Sequence, residues 1–176
     1  MVHPVIEKFH VETLSTQDRS GFECGVAALD RYLKEQAGQD QRRGVSNCFL
    51  ALSAEKIAGY YTFAAAGVPF RDLPTDISRR LPRYSDLPGA LIGRLAVDRR
   101  FRGLGLGAGL IADAMMRARL AAPAVFMLLV DAKDEKAAEF YRHHAFRSLE
   151  GRPLRLFLTM STAEKVPGLA GRGGSR

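Results

Sequence analysis

The stretch DRRFRGLGLGAGL, residues 98–110, constrains the fold of this 176-residue chain more than any other. Its glycines stand at alternating positions, 103, 105, 107 and 109. A glycine inside a helix costs roughly 1 kcal/mol against alanine, yet an alanine-rich, helix-forming run follows at once, from Leu110 to Leu120. Three arginines precede the glycines. We therefore expect a loop whose backbone approaches an anion at a helix N-terminus, where unpaired N–H groups carry partial positive charge.

Other readings of the glycine stretch are less favoured. A nucleotide P-loop is excluded, because no lysine followed by Ser or Thr comes after the glycines. Gly103, Gly105 and Ala108 do satisfy the dinucleotide-binding pattern GxGxxG/A, with Asp131 ending the next predicted strand. However, DRRFR separates the preceding strand from the first glycine, and too little chain follows Asp131 for that fold. A merely flexible loop accounts for one or two glycines rather than four.

The first half of the chain predicts a short strand, a helix and a hairpin. VIEKF, residues 5–9, forms the strand, and residues 26–43 form a helix with Val26, Leu29, Tyr32 and Leu33 on one face. NCFLAL and KIAGYYTFAAAGV are apolar runs joined by SAEK, which indicates a β-hairpin. The proline-rich segment 69–89 is predicted to be mostly loop, with one short helix from Asp76 to Leu81.

The second half alternates strands and helices around the glycine stretch. The segments ALIGRLAV and AVFMLLV are typical of buried strands, and RPLRLFLTM is typical of a final strand. KDEKAAEFYRHHA is predicted to be helical, with Ala137, Phe140, Tyr141 and Ala145 on one face. The chain is therefore predicted to be a mixed α/β protein, with one domain over residues 1–163 and a disordered tail at 164–176.

Composition narrows the partners and the compartment. There are 26 basic and 19 acidic residues, for a net charge of +7, which favours an anionic partner such as a phosphate or a nucleic acid. Cys24 and Cys48 form neither a disulfide framework nor a Cys/His cluster, so we expect buried thiols and no metal. The first residues carry charge too early to be expected to act as a signal peptide, and no apolar run reaches about 18 residues. We expect a cytoplasmic protein that does not contact a membrane.

Several segments together resemble a known enzyme family. Residues 100–105, RFRGLG, match [RQ]xxGx[GA], and the stretch resembles the pyrophosphate loop of the GCN5-related N-acetyltransferases, the GNAT superfamily. AAEFYRHHAF resembles the closing motif of that family, a helical tyrosine followed by a Gly-Phe pair, although here the pair is Ala145-Phe146. FECGVAALDRYL, GYYTFAA, LPRYSDLPGALIGRLAVDRRFRGLGLG and VDAKDEKAAEFY resemble one branch, the acetyltransferase toxins of bacterial toxin–antitoxin pairs.

The resemblance implies a fold and a reaction. The fold would be the GNAT α/β fold, a central, mixed, mostly antiparallel sheet flanked by helices. The reaction would transfer acetyl from acetyl-CoA, without a metal, to the free amino group of aminoacyl-tRNA and so block translation. A ribbon-helix-helix antitoxin and a homodimer would be its protein partners. Two alternatives stay open, namely a GNAT enzyme acetylating a small amine or a protein amine, and a non-catalytic module that binds acetyl-CoA or RNA.

The resemblance also assigns roles to residues. Tyr141 would donate a proton to the CoA thiolate, which suits a phenol with an ordinary pKa near 10. Leu95, Ala96 and Val97 would bind the thioester and the pantetheine arm through backbone atoms. The pyrophosphate would be held by Arg100, Arg102, Gly103, Leu104, Gly105, Gly107 and Ala108. A free α-amine has a pKa of about 7.7–8.0, and the neighbouring ester of an aminoacyl-tRNA should lower that pKa further. Much of the amine is then neutral at physiological pH, so a strong general base is not essential.

Other polar residues have weaker assignments. Two basic groups are candidate contacts for tRNA phosphates, unless they are simply solvated: Lys34, Arg42 and Arg43, and Arg79, Arg80 and Arg83. Tyr60 and Tyr61 are expected to point to opposite sides of a strand, so one of them is a candidate for the acceptor site. His143 and His144 lack further ligands, so we do not expect them to bind a metal.

Overall fold

The computed structural model describes residues 9–170. Its strands are β1 (His10–Thr13), β2 (Asn47–Ser53), β3 (Lys56–Pro69), β4 (Asp86–Val97), β5 (Met127–Asp131), β6 (Arg147–Leu149) and β7 (Arg152–Thr159). Its α-helices are α1 (Ala27–Arg31), α2 (Ala37–Arg42), α3 (Thr75–Ser78), α4 (Leu106–Leu120), α5 (Glu135–His143) and α6 (Met160–Ala163). The strands form one sheet in the order β1-β2-β3-β4-β5-β7-β6. The predicted strand at 5–9 lies outside the described residues, except for Phe9.

The described residues group into two compact units. The first contains residues 9–64 and Ile92–Ala114. Within it β1, β2 and β3 pair antiparallel, and Ser53 lies opposite Lys56, which confirms the predicted hairpin. The two-residue turn places Ala54 at φ +53°, as tight hairpin turns require.

The predicted first helix is confirmed, but it is not a uniform α-helix. A π-helical turn, Tyr32–Gln36, joins α1 to α2. The predicted apolar face does form the core of this unit, because Tyr32 and Leu33 are buried while Val26 and Leu29 pack against them. Cys24 and Cys48 are free, buried thiols in the same core, as expected.

The second unit contains Ala65–Leu91 and residues 115–170. Within it β7 pairs antiparallel with both β5 and β6. Its core combines residues of the β3–β4 connection with residues of the last three strands: Val68, Leu73, Leu87, Met127, Leu129, Leu149 and Phe157. The predicted final strand is confirmed as β7, and β6 is a strand that the sequence analysis missed. Three residues carry too little periodicity to predict a strand by themselves.

Several predicted boundaries and one predicted face were wrong. β4 begins at Asp86 rather than at residue 90, and the short helix is Thr75–Ser78 rather than 76–81. The helix after the glycine loop begins at Leu106 rather than at Leu110. On α5 the buried residues are Ala138 and Tyr141, whereas Phe140 is 36% exposed. The buried face of α5 therefore differs from the predicted one, although both faces include Tyr141.

The C-terminal residues that the structure describes are folded. Residues 164–170 continue from α6 in hydrogen-bonded turns, and Leu169 is buried. The remainder of the predicted disordered tail, residues 171–176, lies outside the described residues. No helix among residues 9–170 is both long enough and apolar enough to span a membrane.

Candidate active site

The glycine loop connects the end of β4 to the start of α4. Asp98 caps a 3-10 turn, Arg99–Phe101, by accepting a hydrogen bond from the N–H of Arg100. Gly103 and Gly105 then adopt φ values of +73° and +77°, a left-handed conformation that side chains disfavour. A Cβ added at either glycine would meet nothing within 4 Å. The two glycines thus serve the backbone conformation, and the space beside them is open to a ligand.

The loop ends at the half-buried N-terminus of a long helix. Gly109 donates a backbone hydrogen bond to the carbonyl of Gly105, 3.1 Å away, and so closes the first turn. Among the described residues, the N–H groups of Leu106, Gly107 and Ala108 have no backbone acceptor. Such groups, together with the positive end of the helix dipole, form an anion-binding site. The arrangement fits the diphosphate of acetyl-CoA.

The two loop arginines are already hydrogen-bonded within the first unit. The guanidinium of Arg100 donates hydrogen bonds from Nε and Nη2 to the two carboxylate oxygens of Asp98, at 2.8 and 2.9 Å. Arg102 donates from Nη2 to the carbonyl oxygen of Cys24. We expected both side chains to bind the anion directly. In this structure they instead anchor the base of the loop, and direct contact with a phosphate stays a prediction.

Asp98 holds this base together. Its side chain is 1% exposed and accepts a second backbone hydrogen bond, from Glu23 N–H at 2.9 Å. Burial by itself raises the pKa of Asp98, but the hydrogen bonds from Arg100 and from the Glu23 N–H outweigh it and lower that pKa to about 2. Sequence reasoning missed this residue, although an aspartate directly after a strand and before a turn is a common capping signal.

The predicted pantetheine-binding residues end β4. The N–H of Asp98, the residue after them, donates to the carbonyl of Ala58 on β3 at 2.8 Å. A Cβ at Gly59 would lie 2.9 Å from the carbonyl oxygen of Ala96, so glycine is needed for the two backbones to approach. The end of β4 is therefore a rigid support. The proposed contacts of Leu95, Ala96 and Val97 with a ligand remain predictions.

Tyr141 lies in the second unit, near the end of α5. Its side chain is 7% exposed, and its ring packs edge-on against Phe140 and Phe146, with centroids 5.2 and 5.6 Å away. Among the described residues, its hydroxyl has no hydrogen-bond partner. Burial raises the pKa of Tyr141 to about 12, so the phenol stays protonated at every physiological pH. A protonated phenol with a free O–H is what a general acid requires.

The turn after α5 fixes the position of this tyrosine. The N–H of Phe146 donates to the carbonyl of Tyr141 at 3.1 Å, and that of Ala145 donates to the carbonyl of Arg142 at 3.0 Å. This pair of bonds is the Schellman motif, with Ala145 at φ +69°. Ala145 therefore adopts the left-handed conformation that glycine would take more easily, and the departure from the Gly-Phe pair preserves the turn.

The strand tyrosines are both fully buried. Tyr60 belongs to the core of the first unit and donates to the carbonyl of Leu29 at 2.8 Å. Tyr61 donates to the carboxylate of Asp113 on α4 at 2.5 Å, and its ring stacks on Phe49. The two side chains thus point to opposite sides of β3, as predicted. Both hydroxyls are already hydrogen-bonded and both side chains are buried, so a role for either tyrosine in an acceptor site stays a prediction.

The basic side chains proposed for phosphate binding are all exposed. None of them forms a salt bridge with another described residue: Lys34, Arg42, Arg43, Arg79, Arg80 and Arg83. The first three belong to the first unit and the last three to the second. The rings of His143 and His144 meet edge-on, and within residues 9–170 no group of three or more metal-ligating side chains occurs. Exposure suits the basic groups to a polyanion.

Comparison with known proteins agrees with this geometry. The profile of the Acetyltransferase (GNAT) family matches residues 12–146. This chain belongs to the GNAT acetyltransferase family. It is therefore an acetyl-CoA-dependent N-acetyltransferase, and the predicted fold class, a mixed sheet flanked by helices, is confirmed. That the glycine loop holds acetyl-CoA stays a prediction.

Individual GNAT relatives are more specific. A "tRNA-acetylating toxin" of Mycobacterium tuberculosis (strain ATCC 25618 / H37Rv) is 35% identical over 86% of this chain and 91% of its own length. The structure of AtaT complexed with acetyl-methionyl-tRNAfMet is 28% identical, with a TM-score of 0.82 over 89% of this chain and 98% of that one. A variant of the AtaT toxin bound to the C-terminus of the antitoxin AtaR and acetyl-CoA gives 28% identity and a TM-score of 0.73, over 89% and 96% of the two chains. The toxin branch of the GNAT family is the one that this chain resembles.

Proposed function

We propose that this chain is a toxin that transfers acetyl from acetyl-CoA to the free amino group of aminoacyl-tRNA. The observation that carries the proposal is the similarity, over most of both chains, to a GNAT protein named for acetylating tRNA. Acetylation removes the nucleophilic lone pair of the α-amine, so the aminoacyl-tRNA cannot serve as an acceptor for peptide bond formation. Translation stops as a result.

The cofactor would be held by the first unit. The N–H groups at the start of α4 and the open space beside Gly103 and Gly105 receive the diphosphate. Leu104 and the first-turn residues Gly107 and Ala108 line the same loop. The Asp98–Arg100 pair keeps the loop rigid. Less conformational entropy is therefore lost when the cofactor binds.

The reaction needs little assistance from a base. The neutral α-amine attacks the thioester carbonyl, the C–S bond breaks, and the amine proton is released to solvent. Tyr141 would then protonate the departing thiolate sulfur, and a proton from solvent would restore the phenol. Burial raises the pKa of Tyr141 to about 12, so the proton moves only as negative charge develops on the sulfur. Tyr141 would thus act as the general acid.

The exposed basic groups would hold the nucleic acid. One group follows α3 and consists of Arg79, Arg80 and Arg83. The other lies between the end of α1 and the residue after α2, and consists of Lys34, Arg42 and Arg43. No recognisable RNA-binding module is present in the sequence, so recognition would rest on phosphates and on the shape of the tRNA. We further propose that the protein works in the cytoplasm, forms a homodimer and is neutralised by a ribbon-helix-helix antitoxin.

One experiment tests the proposal directly. Purified protein is incubated with acetyl-CoA and total aminoacyl-tRNA, and nuclease-released aminoacyl-adenosine is analysed by mass spectrometry. A gain of one acetyl group on the aminoacyl moiety supports the proposal, and the modified amino acid identifies the tRNA species. Acetylation of small amines or protein N-termini, but of no aminoacyl-tRNA, would instead favour an ordinary GNAT enzyme. Binding of acetyl-CoA or RNA without turnover on any amine would favour a non-catalytic module.

Expression in cells provides the second half of the test. The gene is induced alone and together with the neighbouring gene, if that gene encodes a short ribbon-helix-helix protein. Growth arrest only in the absence of the neighbour supports the toxin role. Equal growth in both cultures would contradict it, even if aminoacyl-tRNA is a substrate in vitro.

A further inference from the structure

One aromatic side chain near the second basic group lacks the contacts that aromatic residues usually make. Tyr84 is 55% exposed, although an aromatic ring gains most from burial. Among the described residues, its ring has no aromatic or cation partner and its hydroxyl has no hydrogen bond. The Tyr84 side chain therefore contributes little to the packing of the second unit, and a ligand can reach its face.

Tyr84 lines a cavity within that unit. The cavity has a volume of about 460 Å³ and is bordered by Pro69, Phe70, Arg71, Tyr84, Ser85 and Asp86. The N–H of Phe70 donates to the carbonyl of Ser85 at 3.1 Å, so the two chain segments that form the walls are fastened together. The cavity is thus part of the folded unit, and its size suits a nucleotide.

The walls combine aromatic, cationic and acceptor groups. The side chain of Arg71 is 88% exposed, and Arg83 directly precedes Tyr84 in the chain. Unpaired RNA bases stack on aromatic side chains, and nearby arginines attract the phosphates that link them. The exposed carboxylate of Asp86 can accept a hydrogen bond from the exocyclic amino group of cytosine or adenine. Together these groups match an unpaired nucleotide better than a duplex or a small amine.

We propose that Tyr84 is a stacking platform for an unpaired nucleotide in the 3′-terminal segment of the tRNA. This inference rests on the proposed function, because the 3′ segment is the part of an aminoacyl-tRNA that carries the reactive amine. Stacking at Tyr84 orients that segment, while the neighbouring arginines supply affinity that does not depend on the base. Tyr84 is a substrate-positioning residue and takes no part in bond making or breaking.

The test compares three variants with the wild type. Tyr84→Ala removes the ring, and Tyr84→Phe keeps the stacking face. Leu120→Ala is the control, because it removes an apolar side chain that is 79% exposed and distant in sequence from Tyr84. We expect kcat/KM on aminoacyl-tRNA to fall about 5- to 150-fold for Tyr84→Ala, as the loss of one stacked base implies. Tyr84→Phe and Leu120→Ala stay within about twofold of wild type. Acetyl-CoA affinity, measured by calorimetry, stays the same in all of them.

A binding measurement with uncharged tRNA separates stacking from other causes. Wild-type affinity is compared for intact tRNA and for tRNA trimmed of its unpaired 3′ nucleotides. Trimming weakens binding to the wild type and to Tyr84→Phe, whereas Tyr84→Ala binds both forms equally. Equal losses on trimming for wild type and Tyr84→Ala would overturn the inference, as would a changed oligomeric mass of Tyr84→Ala, which would assign the ring to a contact between copies.

The outcomes for the two proposals differ. If the wild type acetylates no aminoacyl-tRNA, the proposed function fails, and with it the inference. If the wild type acetylates aminoacyl-tRNA and Tyr84→Ala does so at the wild-type rate, the inference alone fails. Both stand if activity falls for Tyr84→Ala and Tyr84→Phe restores it.

Discussion

The rings of Tyr141 and Phe146 pack edge-on, with centroids 5.6 Å apart, across the turn that ends α5. The same two residues are joined by a backbone hydrogen bond of 3.1 Å. This double link fixes the tyrosine from its backbone and from its ring, and it leaves the hydroxyl unbonded among the described residues. A side chain held in this way is prepared to donate its proton without first breaking another hydrogen bond.

Tyr141→Phe should reduce turnover at least about 100-fold, because general-acid help of this kind contributes about 10²- to 10⁴-fold. Folding and acetyl-CoA binding should persist, since the ring contacts remain. Steady-state kinetics and calorimetry check both expectations. If the protein is a toxin, cells should tolerate this variant without an antitoxin. Turnover near the wild-type value in a folded variant would mean that water or another group protonates the thiolate.

The pH dependence of the wild type provides a check on the same residue. Because burial raises the pKa of Tyr141 to about 12, the donor proton is present at lower pH and is lost only as the pH rises through that value. Between pH 8 and 10, kcat/KM of the wild type should therefore not fall because of Tyr141. Any fall in that range should also be present in Tyr141→Phe. A fall in that interval that disappears in the variant would contradict the assignment.

Ala145→Gly should stabilise the protein modestly. Ala145 adopts φ +69°, where an L-residue costs roughly 1–2 kcal/mol, and glycine recovers this at an entropic cost of about 0.5–1 kcal/mol. We expect a net gain of about 0.5–1 kcal/mol in the free energy of unfolding, measured by urea denaturation. Ala145→Val should be destabilising, because a β-branched residue fits this conformation poorly. Equal stability of all three proteins would show that the turn is not under strain.

Gly105→Glu, or Gly103→Glu, should abolish acetyl-CoA binding. The new carboxylate would occupy the open space beside the loop, repel the diphosphate and strain a residue at positive φ. Gly109→Ala is the matched control, because a Cβ there also meets nothing within 4 Å but the position is ordinary helix. That control should bind normally and be about 1 kcal/mol more stable. Unchanged affinity in a folded Gly105→Glu protein, measured by calorimetry, would rule out the loop as the diphosphate site.

Replacing Arg79 and Arg80 together by alanine should weaken tRNA binding and reduce the slope of log affinity against log salt by up to about two. Acetyl-CoA binding should not change. The control, Arg31→Ala with Lys56→Ala, removes the same net charge from exposed positions outside the two basic groups. Titrations at several salt concentrations distinguish the two pairs. Identical behaviour would mean that only the overall charge of the protein matters.

Asp98→Asn should destabilise the protein by about 2 kcal/mol, since one pKa unit corresponds to 1.36 kcal/mol and the Asp98 pKa falls from 3.8 to about 2 on folding. The contribution is fully present above pH 4 and disappears as the pH falls through about 2. The stability difference between wild type and variant should therefore be constant near neutrality and shrink below pH 4. Chemical denaturation at a series of pH values measures it. A difference that does not depend on pH would assign the effect to lost packing.

Local patterns in the sequence predicted many elements of this fold. The glycine spacing predicted a loop followed by a helix, and Gly103 and Gly105 do adopt the left-handed conformation that glycine favours. Gly107 and Gly109, however, lie inside α4. The apolar run on either side of SAEK predicted the hairpin, and the 3.6-residue spacing of Tyr32 and Leu33 with their neighbours predicted the buried face. Each of these depends on residues close together in the chain, whose energetics the sequence itself determines.

Tertiary structure decided what depends on distant residues. Arg100 and Arg102 look like free cations in the sequence. In the structure Arg100 binds the buried carboxylate of Asp98, which requires donors, and Arg102 binds the carbonyl of Cys24. On α5, Ala138 is buried whereas Phe140 is 36% exposed, because packing against the rest of the unit decides which face of the helix is covered. The exposure of Tyr84 likewise follows from how segments 69–71 and 84–86 meet. No periodicity encodes such contacts, since the cost of a buried charge or an overfilled core is set by atoms that the chain brings together only on folding.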